Sequence, residues 1–159
     1  LIGLQSPILS WGVRDSYLGI GPSDRDFWVN QSLNAQRLGA LPPYNNLLGG
    51  KLVAAMMSSD YVRRKFKEKY SNIKTLMKDR SIPADLLFIT TTGAYGKSCV
   101  YSRFKMNDIE MAKFLGYTNG NVSFHITNFL FEDLFHFEGL PPFSAPSGAI
   151  TIFCPGLTR

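Results

Sequence analysis

Gly49-Gly50-Lys51, preceded by Leu48 and followed by the apolar run Leu52–Met56, offers the clearest chemistry in the chain. Two glycines at the start of a helix leave its first backbone N–H groups bare of side chains. Those groups have no partner within the helix and carry a partial positive charge, so a phosphate can approach them closely. Leu48, Gly49, Gly50 and Lys51 are therefore the candidate cradle for a phosphate-bearing ligand. The stretch is not a P-loop, because Leu52 stands where that motif carries Ser or Thr. Nor is it a dinucleotide fingerprint, which needs a third glycine.

Tyr101 lies in a second segment rich in hydroxyls and cations, Thr90–Phe104, just after a β-prone run. A phenol with a pKa of about 10 is protonated at neutral pH and can donate to a leaving thiolate. His125 and Asp15 are the candidate bases, and Asp15 sits beside Arg14, where it reads equally well as half of a structural ion pair. No Ser-His-Asp or Cys-His set can be ordered along the chain. Cys99, Cys154, His125 and His136 are too few and too scattered for a zinc site, so no metal is expected and the two cysteines read as reduced thiols.

The net charge is +5, and it is local. Residues 61–80 hold eight Lys or Arg against two acids. Arg63, Arg64 and Lys67 are the residues that would meet DNA or RNA phosphates, the alternative being a solvated helix face. A third possibility is a protein-interaction subunit, since Phe129, Phe131, Phe135 and Phe137 occupy more than one face of an expected helix.

These groups must be positioned by 159 residues, 45% apolar and 18% charged, which suits one domain over 1–159. No apolar run approaches the ~20 residues that span a bilayer, and no leader is visible, so a cytoplasmic protein without membrane contact is expected. Leu1 opens the chain inside an apolar stretch, which reads as a fragment lacking N-terminal elements.

Patterning predicts a strand over 1–9 ending near Ser6-Pro7, a loop over 11–20, a helix over 24–36 and a short strand over 38–41. Helices over 46–58 and 61–70 follow, the first with Leu48, Leu52 and Met56 at helical spacing. Ile73–Arg80 reads as an uncertain continuation. Asp85–Thr92 predicts a buried central strand, and Gly96–Phe104 a helix. A hairpin over 113–127 turns at Asn119-Gly120, and a helix over 128–137 leads into a Pro- and Gly-rich loop over 138–148. The sum is an α/β fold of the α+β kind, a mixed sheet with helices on both sides.

Several stretches resemble the DruA family, found in Druantia anti-phage defence systems and in some mobile-element proteins. They are Ser6-Pro7, Arg14-Asp15 with Gly19, Leu38–Ala54, Thr90–Arg103 and Gly116–Gly120 with Phe124-His125. The block Pro42-Pro-Tyr-Asn-Asn-Leu-Leu-Gly-Gly-Lys-Leu-Val-Ala54 is long and specific. The resemblance implies a role in antiviral defence alongside other defence-system proteins. The layout also looks like the GNAT acyltransferase fold, in which a strand, a Gly-rich turn and a helix hold the CoA pyrophosphate. There the next strand leads to a Tyr that protonates the CoA thiolate. Leu38–Met56 and Leu86–Phe104 fit these parts in order, with Tyr101 in the Tyr position. That analogy implies a GNAT-like core and acyl-CoA as ligand.

Overall fold

Among the described residues the elements follow one another as β1 (Ile2–Gln5), α1 (Gly12–Leu18), α2 (Arg25–Asn30), β2 (Ser32–Leu38), α3 (Asn45–Met57), α4 (Asp60–Tyr70), β3 (Phe88–Gly93), β4 (Lys105–Met106), β5 (Ile109–Glu110), β6 (Ala112–Thr118) and β7 (Gly148–Phe153). The structure, a computed structural model, describes residues 1–76, 78–93, 98, 100–101, 104–106, 108–118 and 148–153, with the backbone alone for Leu48, Met106, Thr118 and 148–153.

Five strands form one sheet in the order β1-β2-β3-β7-β6, and β4 pairs with β5 apart from it. The sheet is mixed. β2 and β3 run parallel, and every other neighbouring pair is antiparallel. Parallel neighbours need a long crossover, here supplied by α3 and α4. β3 is central, in keeping with its near-continuous burial.

Strand alternation sends Leu33, Ala35 and Ile89 to one face of the sheet. Ala35 and Ile89 join Ala54 and Met57 of α3, Phe66 of α4, and Leu86 and Phe104 in a continuous apolar cluster. Burying each large side chain of that cluster contributes about 1.5–3 kcal/mol, which holds both crossover helices on the sheet. The opposite face carries Ser32, Asn34, Phe88 and Thr90, all buried, with Thr90 Oγ1 donating to Asn34 Oδ1 at 3.2 Å. Farther along the sheet α1 packs on β6, and Lys113 lies 5.1 Å from the Tyr17 ring.

The helices over 46–58 and 61–70 and the strand over 85–92 are found within a few residues of their predicted ends. Several predictions are corrected, the short strand over 38–41 among them, since only its first residue, Leu38, lies in a strand. The expected loop over 11–20 contains α1. Its usual amphipathic signal is inverted, because the residues it buries are Arg14 and Asp15. The expected helix over 24–36 stops at Asn30, and Ser32–Leu38 is a strand. Ala35, Gln36 and Arg37 have good helix propensity, but pairing with β1 and β3 overrides it. Ile73–Arg80 does not prolong α4: Thr75 N–H donates to the Arg80 carbonyl and Asp79 N–H to the Thr75 carbonyl, closing a turn. Strand β7 is an addition, since no element was expected over 148–153. The expected second hairpin strand over 122–127, the turn Asn119-Gly120, the helix over 128–137 and most of the loop over 138–148 lie outside the described residues. Of the helix expected over 96–104, the described Ser98, Val100 and Tyr101 form a turn, with Tyr101 N–H donating to the Ser98 carbonyl.

Gly19 ends α1 in the left-handed region, at φ 65°, and its N–H caps the Asp15 and Ser16 carbonyls. An L side chain there is strained, so Gly19→Ala should lower the unfolding free energy by about 1 kcal/mol. Urea denaturation reads this directly.

Candidate functional site

The parallel strands β2 and β3 share four paired positions, from Ser32 opposite Phe88 to Ala35 opposite Thr91. Beyond Ala35 and Thr91 they no longer pair. β2 runs on to Leu38 beside β1, and β3 runs on to Gly93 beside β7. A crevice outside the carboxyl ends of two parallel strands is where open α/β sheets place ligands.

The chain leaves β2 through Pro42-Pro43, whose peptide bond is cis, into the first turn of α3. Gly49 then breaks the helix at φ 58°, ψ 160°, and the helical path resumes at Gly50. The expected helix start at the diglycine is thus present, set inside a longer helical segment. Among the described residues a β-carbon added to Gly49 would meet nothing within 4 Å. A β-carbon on Gly50 would stand 3.2 Å from Val100 Cγ2, so that side of the corner is packed. Lys51 is exposed. Of Leu48, the backbone forms part of the turn before the break.

Val100 therefore brings the two chemically promising stretches together. Its neighbour Tyr101 is half-buried against the apolar cluster and shares a hydrogen bond with Thr91. Thr91 Oγ1 also donates to the Ala35 carbonyl at 2.9 Å. The phenol is thus tied to the last paired position of β2 and β3. Burial pushes its pKa above the usual phenol value, and the hydrogen bond with Thr91 acts the other way. Tyr101 is a protonated donor throughout the neutral range.

Asp15 is placed differently. Arg14 Nε donates to its Oδ1 at 2.8 Å, and the Trp11 N–H donates to its Oδ2 at 3.1 Å. Arg25 Nε lies 3.4 Å from the same Oδ2, close enough for an ion pair but without hydrogen-bond geometry. The arrangement is a buried ion pair that ties α1 to the chain after β1, and no described contact joins it to Gly50 or Tyr101. His125 lies outside the described residues. Arg63, Arg64 and Lys67 are exposed on α4, opposite its buried Phe66. Arg64 pairs with Asp60 at 2.9 Å and Lys67 approaches Asp85 at 3.8 Å. Exposed pairs of this kind contribute about 0–1 kcal/mol, so they leave the cations available to another anion.

Among the described residues no group of three or more His, Cys, Asp or Glu is placed to hold a metal ion. No described helix is long and apolar enough to cross a membrane. Sequence reasoning missed the part played by Val100 and the place of Ala35 beside Thr91. Neither had a local signal, because both depend on β2 being a strand.

The chain is similar to known proteins over most of its length. The family described as Druantia protein DruA matches residues 1–153. A protein of Escherichia coli (strain UMEA 4076-1) described as Druantia protein DruA is 39% identical over 134 residues, covering 84% of this chain and 33% of its own length. The chain thus spans about a third of that relative. No solved structure matches it.

Proposed function

The chain belongs to the DruA family, and from that premise we propose that it is a component of a Druantia-type anti-phage defence system, working in the cytoplasm with other defence proteins. Within it, the corner at Leu48, Gly49, Gly50 and Lys51 receives a phosphate-bearing ligand, acyl-CoA first among the candidates. The observation that carries this reading is the contact between Gly50 and Val100, which sets a helix start beside Tyr101 where β2 and β3 cease to pair. Among the described residues nothing stands against the β-carbon side of Gly49, which supports room for the anion.

The chemistry supported by this geometry is acyl transfer. An acyl-CoA thioester supplies an activated carbonyl. The acceptor's nucleophile bonds to that carbonyl carbon, the carbon–sulfur bond breaks, and the departing sulfur takes the phenol proton of Tyr101. Solvent then reprotonates the phenolate. Asp15, committed to Arg14, is poorly suited to act as the base; His125 keeps that role in the proposal.

Saturation binding of acetyl-CoA tests the reading. Gly50→Asp places a carboxylate at the helix start, and Lys51→Glu reverses an exposed charge that the fold does not use. Each should weaken binding by about ten-fold or more. Absence of saturable binding by the unsubstituted protein at millimolar acetyl-CoA would overturn the assignment. Binding to DNA or RNA through Arg63, Arg64 and Lys67 is the weaker reading, supported by their exposure alone. A protein-interaction role for Phe129–Phe137 concerns residues outside those described.

A further inference from the structure

A cavity of about 480 Å³ opens at the other end of the sheet. Ile82, Pro83 and Ala84 border it just before β3, and Ser6 and Leu9 border it just after β1. Since β1 runs antiparallel to β2, these residues lie by the amino ends of β2 and β3, away from Gly50 and Tyr101.

Two walls define the cavity. Asp26, Val29 and Asn30 of α2 form one, and residues of 70–76 and 78–84 form the other. Val29, Ile82 and Pro83 give the lining apolar surface. Tyr70 and Ile73 extend that surface. Three cations, Lys74, Lys78 and Arg80, line the same cavity, against the single carboxylate of Asp26. Lys78 donates to Asp26 Oδ2, and Arg80 Nη1 lies 3.9 Å from that atom. The hydrogen bond from Lys78 is the main reason Asp26 is held below the usual carboxylate pKa, with the Arg80 and Arg25 charges adding to it and partial desolvation opposing it. Lys74 pairs with Asp79 at 3.1 Å.

The convergence of Lys78 and Arg80 on one oxygen is the geometry that also seats a phosphate oxygen. A neutral acyl chain or an uncharged peptide would account for the apolar surface but not for the cations beside it. A nucleotide accounts for both, because it joins a flat, apolar-faced ring to a phosphate. The size suits a small ligand, since such pockets commonly enclose about 300–1,000 Å³.

We propose that the cavity lined by α2 and by residues of 70–76 and 78–84 is a nucleotide site, with the base against the apolar surface of Val29, Ile82 and Pro83 and the phosphate on Lys78 and Arg80. In the ligand-free protein Asp26 occupies the place of the phosphate. The nucleotide is either free or the terminal unit of a single strand, whose remaining phosphates would extend towards the exposed cations of α4. The site does not depend on acyl-CoA binding at Gly49-Gly50.

The test is titration of the protein with AMP, with inorganic phosphate, and with a short single-stranded DNA bearing a 5′-phosphate, followed by intrinsic fluorescence and calorimetry. AMP or the oligonucleotide should saturate in the sub-millimolar range, and inorganic phosphate alone should bind more weakly. Tighter binding of the oligonucleotide than of AMP identifies a strand end as the source; equal binding identifies the free nucleotide. Lys78→Glu with Arg80→Glu should lower affinity about ten-fold or more, while Asp26→Asn, which removes the internal competitor, should raise it about three-fold. A merely structural ion pair predicts the opposite for Asp26→Asn, since loosening the loop would weaken any site built on it. Gly50→Asp should leave nucleotide affinity unchanged, which separates this site from the acyl-CoA corner. Two results overturn the proposal: no saturable binding at millimolar AMP or oligonucleotide, or unchanged affinity in the double charge reversal.

Discussion

Arg14→Met is expected to lower the unfolding free energy by about 3–5 kcal/mol, the cost of leaving a buried charge without its partner. Arg14 has no exposed surface, and Asp15 beside it is buried as well. The guanidinium does more than neutralise the carboxylate. Its Nη1 donates to the Ile8 carbonyl at 2.6 Å and its Nη2 to the Leu9 carbonyl at 3.0 Å. Methionine would fill much of the volume but leave two carbonyls and one carboxylate short of donors. Arg25 cannot take over, because its Nε is already 3.4 Å from Asp15 and poorly aligned. Arg14→Met combined with Asp15→Leu should recover part of the loss, since it removes the stranded charge with its partner. Urea denaturation of the two single variants and the double variant measures the coupling. A loss under about 1 kcal/mol for Arg14→Met would mean that water reaches the pair in solution.

Tyr101→Phe addresses the chemistry. Loss of a general acid costs about 10²–10⁴-fold in turnover, so acetyl transfer by this variant should fall at least a hundred-fold. Acetyl-CoA affinity should stay as it is, because the hydroxyl is assigned to the leaving sulfur and not to the phosphates. The pH profile gives the sharper readout. Burial raises the phenol pKa, so the donor is present at neutral pH and lost only as pH climbs through that raised value, above about 10. The unsubstituted protein should therefore show an alkaline limb there that Tyr101→Phe lacks. Stability follows the same sign. The neutral phenol is favoured by the fold, so its contribution is full below the unfolded pKa of about 10 and disappears as pH rises past the folded one. Equal transfer rates in both proteins would leave Tyr101 as a packing residue that holds Thr91.

Much of the frame is written in local pattern. Leu52 and Met56 at helical spacing and the β-branched run before Gly93 each announce their element through nearby side chains. Helix and strand propensities act over a few residues, so such signals survive without tertiary context. The break at Gly49-Gly50 is legible for the same reason, since only glycine tolerates that backbone.

Ser32–Leu38 reads differently. Its Ala-Gln-Arg core favours a helix, and it becomes a strand because β1 and β3 stand on either side to take its hydrogen bonds. Strand β7 had a usable signal in Ala149-Ile-Thr-Ile-Phe153, but its place between β3 and β6 is a non-local fact. The adjacent letters Arg14-Asp15 suit an exposed pair as well as a buried one.

Sequence alone therefore determined the two crossover helices, strand β3, the glycine corner and the family. Tertiary structure decided which neighbours those pieces met: Val100 against Gly50, Tyr101 against Thr91, Lys78 and Arg80 against Asp26. The division has one physical cause. Propensity and capping are free energies of nearby residues, whereas strand pairing and the desolvation of charge depend on groups distant in the chain, and each can outweigh a local preference of a few tenths of a kcal/mol per residue.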